Sequence, residues 1–292
     1  MDLAYNLLGQ FTSIGRFNNV AGGGANEVST STFGYTDAQG RLTSLAHNKG
    51  AVLQADYAWA YDALSRLASF TSTKNPTENA SYSYDSTGQL IGASYSGGGL
   101  ANESYVYDTN GNRTNTASAS YTLSANNQIQ RDGTYEYQYD AEGNQTKRIT
   151  LQGGAATGPT RTYTWDHRDR LTQVTETTSP NSGATTTKVT VYTYDARNQR
   201  VSKVTASSVA GLAAAAKTYF VVDDAAASAI LDLVDNDGNG TNPAQLSRRY
   251  LHGPAVDQVL AEEDVTAAIN APGRVLWHLG DQLGSTRDLV DN

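Results

Sequence analysis

Apolar and polar residues alternate in short runs along much of the chain. Two such runs are QLIGASY, from Gln89, and RLTQVTETT, from Arg170. Successive side chains of a β-strand point to opposite faces, so a period of two predicts a half-buried strand. The pattern therefore predicts an all-β chain of short strands.

One motif recurs between these runs, and it is clearest in YSYDSTGQL, from Tyr82. Further copies begin at Tyr57, Tyr105, Tyr135, Tyr163 and Tyr192, and weaker copies begin at Tyr5, Phe33 and Tyr121. The consensus is Tyr-x-Tyr-Asp-x-x-Gly-(Asn/Arg/Gln)-(Leu/Arg). An internal repeat of this kind predicts one supersecondary unit that is used many times.

The Asp-x-x-Gly part of the motif predicts a tight turn. The aspartate carboxylate accepts backbone N–H groups within the turn, and glycine supplies the positive φ of a type I turn with a G1 bulge. Ser65, Asn127, Asp169 and Asn198 stand where other copies have glycine. Asn and Asp are the next best residues in the left-handed region, and serine fits it less well. Each copy is therefore predicted to be a β-hairpin.

The Tyr-x-Tyr part places both rings on one face of a strand, where we expect them to stack on neighbouring hairpins and contribute about 0.2–1 kcal/mol a pair. An alternative is that Tyr and Asp form an acid–base pair. A catalytic pair is not needed in every copy, so the repetition favours a structural role. The predicted turn and stacking residues are Tyr61, Asp62, Tyr82, Tyr84, Asp85, Gly88, Tyr105, Tyr107, Asp108, Gly111, Tyr137, Tyr139, Asp140, Gly143, Trp165, Asp166, Tyr192, Tyr194 and Asp195.

Composition narrows the function classes. The net charge is −8, and the lysines and arginines are scattered, so the basic patch that nucleic-acid binding requires is absent from the sequence. There is no cysteine, which excludes disulfides, thiolate metal sites and a cysteine nucleophile. No apolar run has the length of a membrane span, and the first residues lack the pattern of a signal peptide.

The repeats resemble the YD repeats of the RHS (rearrangement hotspot) family, which includes bacterial polymorphic toxins, the C component of insecticidal toxin complexes and teneurins. The segment from Trp277, WHLGDQLGSTRDLVDN, is similar to the start of the RHS-associated core segment. The residues that match the D-x-x-G-S-x-R-D run of that core motif are Asp281, Gly284, Ser285, Arg287 and Asp288.

The resemblance implies a fold in which repeated hairpins form a long spiralling sheet, here part of an RHS-type shell. With two strands a repeat, we expect on the order of 20 strands, a width at which open sheets curl or split. We predict a hairpin array over residues 1–210 and a core-like segment over residues 211–292 that continues the same sheet. The family's autoprotease residues would follow Asn292, so no catalytic residue is carried over.

Two further candidates for chemistry are weaker. The run DNDGNG, from Asp235, fits the first half of a calcium loop, with Asp235, Asp237 and Asn239 as ligands. The twelfth position of that loop is Leu246 rather than glutamate, and Asp-Gly and Asn-Gly also form ordinary turns. The four histidines, among them His47 and His278, show no metal-binding spacing. We therefore expect no cofactor, with calcium as the alternative.

These observations lead to three hypotheses of function. The first is a non-catalytic scaffold that encloses or displays other sequence and pairs through open sheet edges with further shell sequence or with copies of itself. The second is an extracellular adhesin that binds glycans or proteins, and the third is the truncated carrier of an autoprocessing toxin. The family implies an extracellular or cell-surface location and no nucleic-acid partner.

Overall fold

The structure is a computed structural model that describes residues 1–18, 27–116, 119–178, 185–209, 211–212, 215–223, 228–238, 242–253, 258–269 and 271–291. Its described residues form 24 β-strands and a short 3₁₀ turn at Pro76–Glu78. The predicted all-β fold is confirmed. The strands are β1 Asp2–Tyr5, β2 Phe11–Phe17, β3 Glu27–Gly34, β4 Ser44–Lys49, β5 Val52–Tyr61, β6 Leu67–Thr71, β7 Ala80–Tyr84, β8 Leu90–Tyr95, β9 Glu103–Tyr107, β10 Arg113–Thr116, β11 Thr122–Leu123, β12 Ile129–Arg131, β13 Tyr135–Tyr139, β14 Gln145–Thr150, β15 Thr160–Trp165, β16 Leu171–Thr178, β17 Thr186–Tyr194, β18 Arg200–Ala206, β19 Lys217–Asp223, β20 Ser228–Asp235, β21 Gln245–His252, β22 Val259–Asp264, β23 Val275–Gly280 and β24 Thr286–Asp291.

Strands that follow one another along the chain are also neighbours in a sheet. The first sheet has ten strands in the order β1 to β10, and the second has 14 strands in the order β11 to β24. The expected division of a sheet of this width is thus observed between β10 and β11. Strands β19 to β24, which belong to the core-like segment, continue the sheet that β11 begins.

The alternation of exposed and half-buried side chains follows the repeat motif. In β7, Tyr82 and Tyr84 are half-buried and Ser83 between them is exposed. The same order holds at the ends of β13, β15 and β17, because alternate residues of a strand share one face. The pairing register of β7 with β8 shifts between Ser83 and Tyr84, as expected for a hairpin that carries a bulge beside its turn.

Packing divides the chain into two compact units. The first unit comprises Met1–Tyr105 and Tyr250–Asn292, and the second comprises Val106–Arg249. These limits differ from the division at residues 210 and 211 that motif type suggests. The reason is burial: Val28 of β3 forms one apolar cluster with Ala261, Trp277, Leu279 and Val290 of β22 to β24.

The first unit contains a second apolar cluster on its hairpins. It is formed by Leu45 of β4 and by Ala55, Tyr57 and Trp59 of β5, with Phe70 of β6 packed against it. The rings of Tyr57 and Phe70 are stacked with centroids 6.1 Å apart. These residues alternate along β5, so one face of that strand is buried in the core of the unit.

Candidate functional site

The turn after β7 shows how the repeated motif folds. The Asp85 carboxylate Oδ1 accepts the backbone N–H groups of Thr87 at 2.9 Å and Gln89 at 2.8 Å. The N–H of Gly88 donates to the Asp85 carbonyl at 3.2 Å, and Gly88 has a φ of +89°. A carboxylate that accepts several hydrogen bonds is stabilised in its charged form, and the bonds from Thr87 and Gln89 lower the pKa of Asp85.

The other copies repeat this turn. The side-chain oxygen at the aspartate position accepts the N–H of the residue four positions later in the turns that begin at Asn6, Asp37, Asp62, Asp108, Ser124, Asp140, Asp166 and Asp195. Gly111 and Gly143 have φ values of +83° and +94°. The four substitutes for glycine, Ser65, Asn127, Asp169 and Asn198, have φ values of 57° to 69°, so their predicted left-handed backbone is confirmed.

In five copies of the motif, the second aromatic residue ties its hairpin to the one before it. The tyrosine hydroxyl, or the indole N–H of tryptophan, donates to a backbone carbonyl at 2.8 or 2.9 Å. The acceptor is the residue five positions after the one at the aspartate position of the preceding turn. The pairs are Tyr61 with Leu42, Tyr84 with Leu67, Tyr139 with Ile129, Trp165 with Gln145 and Tyr194 with Leu171. We call this series of bonds the aromatic tethers.

Three of the tether rings, those of Tyr61, Tyr84 and Tyr194, lie against an arginine. The guanidinium carbon of Arg41 lies 4.4 Å from the centroid of Tyr61, and that of Arg66 lies 4.5 Å from the centroid of Tyr84. A guanidinium over an aromatic face gains both electrostatic and dispersion energy. The strand-to-strand contact therefore joins a charged group to a ring.

The same arginines close their own turns. Arg66 Nε donates to Asp62 Oδ2 at 2.7 Å, and Arg170 Nε donates to Asp166 Oδ2 at 2.8 Å. The bond from Arg170 is the main cause that lowers the pKa of Asp166 to about 2. Each of these arginines therefore links the aspartate of one repeat to the aromatic ring of the next.

The first aromatic residues of the motif have more varied surroundings. Tyr137 donates its hydroxyl to Asp132 Oδ2 at 2.6 Å, and burial together with this bond raises its pKa. Tyr105 donates to Glu103, and the Tyr192 ring lies 5.3 Å from the Arg200 guanidinium. Burial also raises the pKa of Tyr82. Tyr107, the second aromatic of its copy, is half-buried beside the turn of Asp108.

The residue four positions after the aspartate forms a link that our sequence analysis missed. Its side chain reaches the next turn along the sheet: Gln10 bonds the Gly40 carbonyl, Arg66 the Asp85 carbonyl, Asn112 the Asn127 side chain, Asn144 the Asp169 side chain and Arg170 the Asp195 carbonyl. The signal was present in the consensus, which has Asn, Arg or Gln there. These side chains carry N–H donors, and donors are what carbonyl and amide oxygens require.

The core-like motif forms the same turn. Asp281 Oδ1 accepts the N–H groups of Leu283 at 2.9 Å and Ser285 at 3.1 Å, and Gly284 has a φ of +77°. The strand that follows is β24, from which Arg287 donates to Glu78. The residues predicted as a core motif thus form one further hairpin, in the first unit.

Asp288 of β24 lies against the apolar cluster of β5. Its Oδ2 accepts the Tyr57 hydroxyl at 3.1 Å, and burial, followed by the charge of Asp288, raises the pKa of Tyr57. Lys49 of β4 donates to the Asp291 carbonyl at 2.7 Å. The two ends of the chain are therefore joined by polar contacts as well as by the shared apolar core.

A buried polar relay crosses the same part of the first unit. Arg16 Nη1 donates to Ser31 Oγ at 2.6 Å, Ser31 Oγ lies 2.6 Å from His47 Nδ1, and His47 Nε2 lies 3.1 Å from the Gly280 carbonyl. A carbonyl only accepts, so His47 Nε2 carries a proton toward Gly280. Burial lowers the pKa of His47 to about 4, so near pH 7 the imidazole is neutral and its Nδ1 accepts the Ser31 hydroxyl.

The calcium candidates are occupied by turn contacts. Asp235 is 2% exposed, and its Oδ1 accepts the N–H groups of Asp237 at 3.2 Å and Gly238 at 3.0 Å. Asp237 Oδ2 accepts the side chain of Asn242 at 2.7 Å. Asn239 lies outside the described residues. Within the described ranges no group of three or more His, Asp or Glu residues is placed to hold a metal ion.

The second unit has a groove of about 710 Å³ along β14 to β18. Its walls are rich in threonine, and Arg161 pairs there with Glu176, which also lies 3.7 Å from Lys188. These charges are directed at one another across neighbouring strands. The groove is therefore a hydroxyl-rich surface with an ion-paired rim.

The geometry separates the Tyr–Asp pair into two independent contacts. The Tyr84 hydroxyl donates to a carbonyl of the preceding hairpin, while the Asp85 carboxylate accepts N–H groups of its own turn. A proton-transfer pair needs a hydrogen bond between its members, or one through a water. Both groups instead bond the backbone, and the arrangement binds hairpin to hairpin.

Comparison with known proteins agrees with the repeat structure. The model of the teneurin YD-shell family matches residues 2–204. Among solved structures, the crystal structure of TcdB2-TccC3 matches with 16% sequence identity and a TM-score of 0.42. That match covers 98% of this chain and only 16% of the other. No curated protein matches.

The family match confirms the predicted relationship to YD-repeat proteins. It ends before the core-like segment, for which the resemblance to the RHS core remains a prediction. The described residues contain no helix with the length and apolar character of a membrane span.

Proposed function

The chain belongs to the teneurin YD-shell family, and from that premise we propose that it is a non-catalytic scaffold, a section of β-shell that encloses or displays other sequence. The observation that carries the proposal is the series of aromatic tethers. Each tether bonds one hairpin to the preceding one through a backbone carbonyl, which every residue type supplies. The same contact can therefore form between any two neighbouring hairpins, whichever residue stands at the acceptor position.

The described turns support a structural role for the repeated aspartates. Each carboxylate is used as an acceptor for backbone N–H groups, with a turn partner four residues away. The pKa of Asp62, of Asp85 and of Asp108 is lowered, first of all by hydrogen bonds within the turn. A general acid at neutral pH needs the opposite shift, because it must hold its proton near pH 7.

The edge strand β1 supports pairing with further shell sequence or with copies of this chain. It is the first strand of the ten-stranded sheet, and all four of its residues are exposed. Leu3 is 36% and Tyr5 is 51% exposed. An exposed edge with apolar side chains presents unpaired N–H and carbonyl groups to another strand. We propose that this edge is the point at which the shell is extended.

Light scattering on a concentration series tests the pairing. We expect the chain to associate as its concentration rises, and we expect Leu3→Lys to weaken the association because a charged edge opposes strand addition. The matched control is Leu64→Lys at a turn tip, where the leucine is 72% exposed. A chain that stays monomeric throughout, or that responds equally to both substitutions, contradicts edge pairing.

A location outside the cell is proposed from the family alone. The adhesin and the autoprocessing carrier remain the alternative proposals. A glycan array with folded protein tests the first, and the intact mass of the native chain tests the second. If the chain binds a defined glycan, and still binds it after the tether tyrosines are substituted, the adhesin is favoured over the scaffold.

A further inference from the structure

The guanidinium of Arg16 in β2 is buried without an opposite charge in contact. The residue is 2% exposed. Its Nη1 donates to Ser31 Oγ at 2.6 Å and its Nη2 to the His278 carbonyl at 3.4 Å, and both acceptors are neutral. Its Nε has no hydrogen-bond partner among the described residues. A buried charge without a counter-charge is costly, so such groups are normally paired.

The acidic side chains of the neighbouring strands are used elsewhere. Asp281 accepts the N–H groups of its own turn, and Asp288 accepts the Tyr57 hydroxyl. Glu262 lies 4.0 Å from His278 Nε2. No ion pair of the described residues includes Arg16.

A cavity of about 60 Å³ adjoins this arginine. Its polar walls include Arg16, Ser31 and Thr286, and its apolar walls include Ile14 and Phe33. Asp281 also lines the cavity, and its Oδ1 accepts the N–H groups of its own turn. A cavity of this volume has room for ordered water or for a monatomic anion.

We propose that this cavity is a binding site for a small monovalent anion, chloride under physiological conditions, with the Arg16 guanidinium as its counter-charge. The cation supplies attraction that strengthens in the low-dielectric interior. The Arg16 Nε–H, which has no partner among the described residues, is the donor available to the anion. The site lies where β2 to β4 meet β22 and β23 within the first unit. An anion that binds only the folded chain raises the free energy of unfolding of that unit.

Bromide locates the site directly, because it replaces chloride and scatters anomalously. Crystals soaked in sodium bromide are expected to show an anomalous peak in the cavity, in contact with the Arg16 side chain. Ordinary water density there without an anomalous signal, in a crystal that shows bromide elsewhere, overturns the proposal.

Thermal unfolding tests the site in solution. Replacing sodium gluconate by sodium chloride at constant ionic strength is expected to raise the Tm by at least about 2 °C, because only the smaller anion binds the folded chain. Arg16→Met is expected to remove this response, while Arg200→Met, at an arginine outside the cavity, is expected to keep it. An equal response of both variants contradicts the proposal. If Arg16→Met does not fold, the wild-type response and the bromide peak still decide the outcome.

Discussion

In the first unit Leu45, Tyr57 and Trp59 are almost fully buried, whereas in the second unit the buried apolar side chains of the described residues are Ile149 and Val189. Both units use the same turn and the same aromatic tethers. They differ in the strand residues between the turns, which are aromatic or aliphatic in β5 and mainly threonine, lysine and arginine in β14 to β17. The hairpin lattice therefore forms with or without a large apolar core.

The second unit relies more on polar contacts between strands. Arg161 of β15 pairs with Glu176 of β16, and the hydroxyls of Thr190 and Thr205 lie 3.0 Å apart across β17 and β18. Exposed cross-strand pairs contribute less than buried apolar groups, about 0.2–1 kcal/mol a pair. We therefore expect the second unit to open before the first.

The largest effect is expected from the core of the first unit. Leu279 is fully buried, and Leu279→Ala is expected to lower the free energy of unfolding by about 2–5 kcal/mol, because it leaves a cavity. The matched substitution in the second unit is Leu171→Ala, at a half-buried leucine, with about 1 kcal/mol expected. Peptide-resolved hydrogen exchange reports each unit separately. If Leu279→Ala increases hydrogen exchange equally in both units, the two units unfold together and do not differ in stability as we expect.

The second effect is a pH dependence confined to the first unit. Burial lowers the pKa of His47 to about 4, below the ordinary value of 6.5. The unfolded chain then binds the proton first, so stability is complete above about pH 6.5 and falls as the pH drops toward 4. The loss amounts to about 3 kcal/mol.

Urea unfolding at pH 7 and at pH 4.5 measures this dependence in wild type and in His47→Gln. The variant is expected to lose most of the difference between the two pH values. His167→Gln, at an exposed turn residue, serves as the control and is expected to behave like wild type. If His47→Gln keeps the full wild-type difference in stability between the two pH values, other groups cause the pH dependence.

A smaller effect is expected from the arginine of a turn in the second unit. Arg170 bonds Asp166 and the Asp195 carbonyl, and it lies 5.0 Å from the Tyr194 centroid. Arg170→Met is expected to cost about 1–2 kcal/mol, from the lost carbonyl bond and the lost ring contact. Arg170→Lys keeps the charge and loses the planar fork, so it should recover only part of this. Full recovery by lysine, measured by thermal unfolding, would mean that charge alone matters.

Much of this fold could be predicted from the sequence. The hairpins, the half-buried tyrosines and the left-handed backbone at Ser65 and Asn198 follow from the period of two and from the Asp-x-x-Gly turn. These features are local, and their causes lie within a few residues of one another. The stacking of tyrosines stays a prediction, while the arginine contacts, such as that of Arg66 with the Tyr84 ring, were not inferred from the motif.

The rest depends on contacts that the motif does not encode. His47 and Gly280 are 233 positions apart and meet only because the last strands pack on the first hairpins. Such pairs have no spacing signature, so a single sequence does not reveal them.

The most direct test of the central claim is native-state hydrogen exchange in Tyr194→Phe, which removes one tether hydroxyl and keeps the ring. The loss of a single neutral hydrogen bond is expected to cost about 0.5–1.5 kcal/mol. We predict faster exchange in both turns that the tether joins, those beginning at Asp166 and Asp195, with the turn at Asp108 unchanged. Exchange that accelerates only at the turn of Asp195, or nowhere, would contradict the claim that the aromatic tethers bind one hairpin to the next.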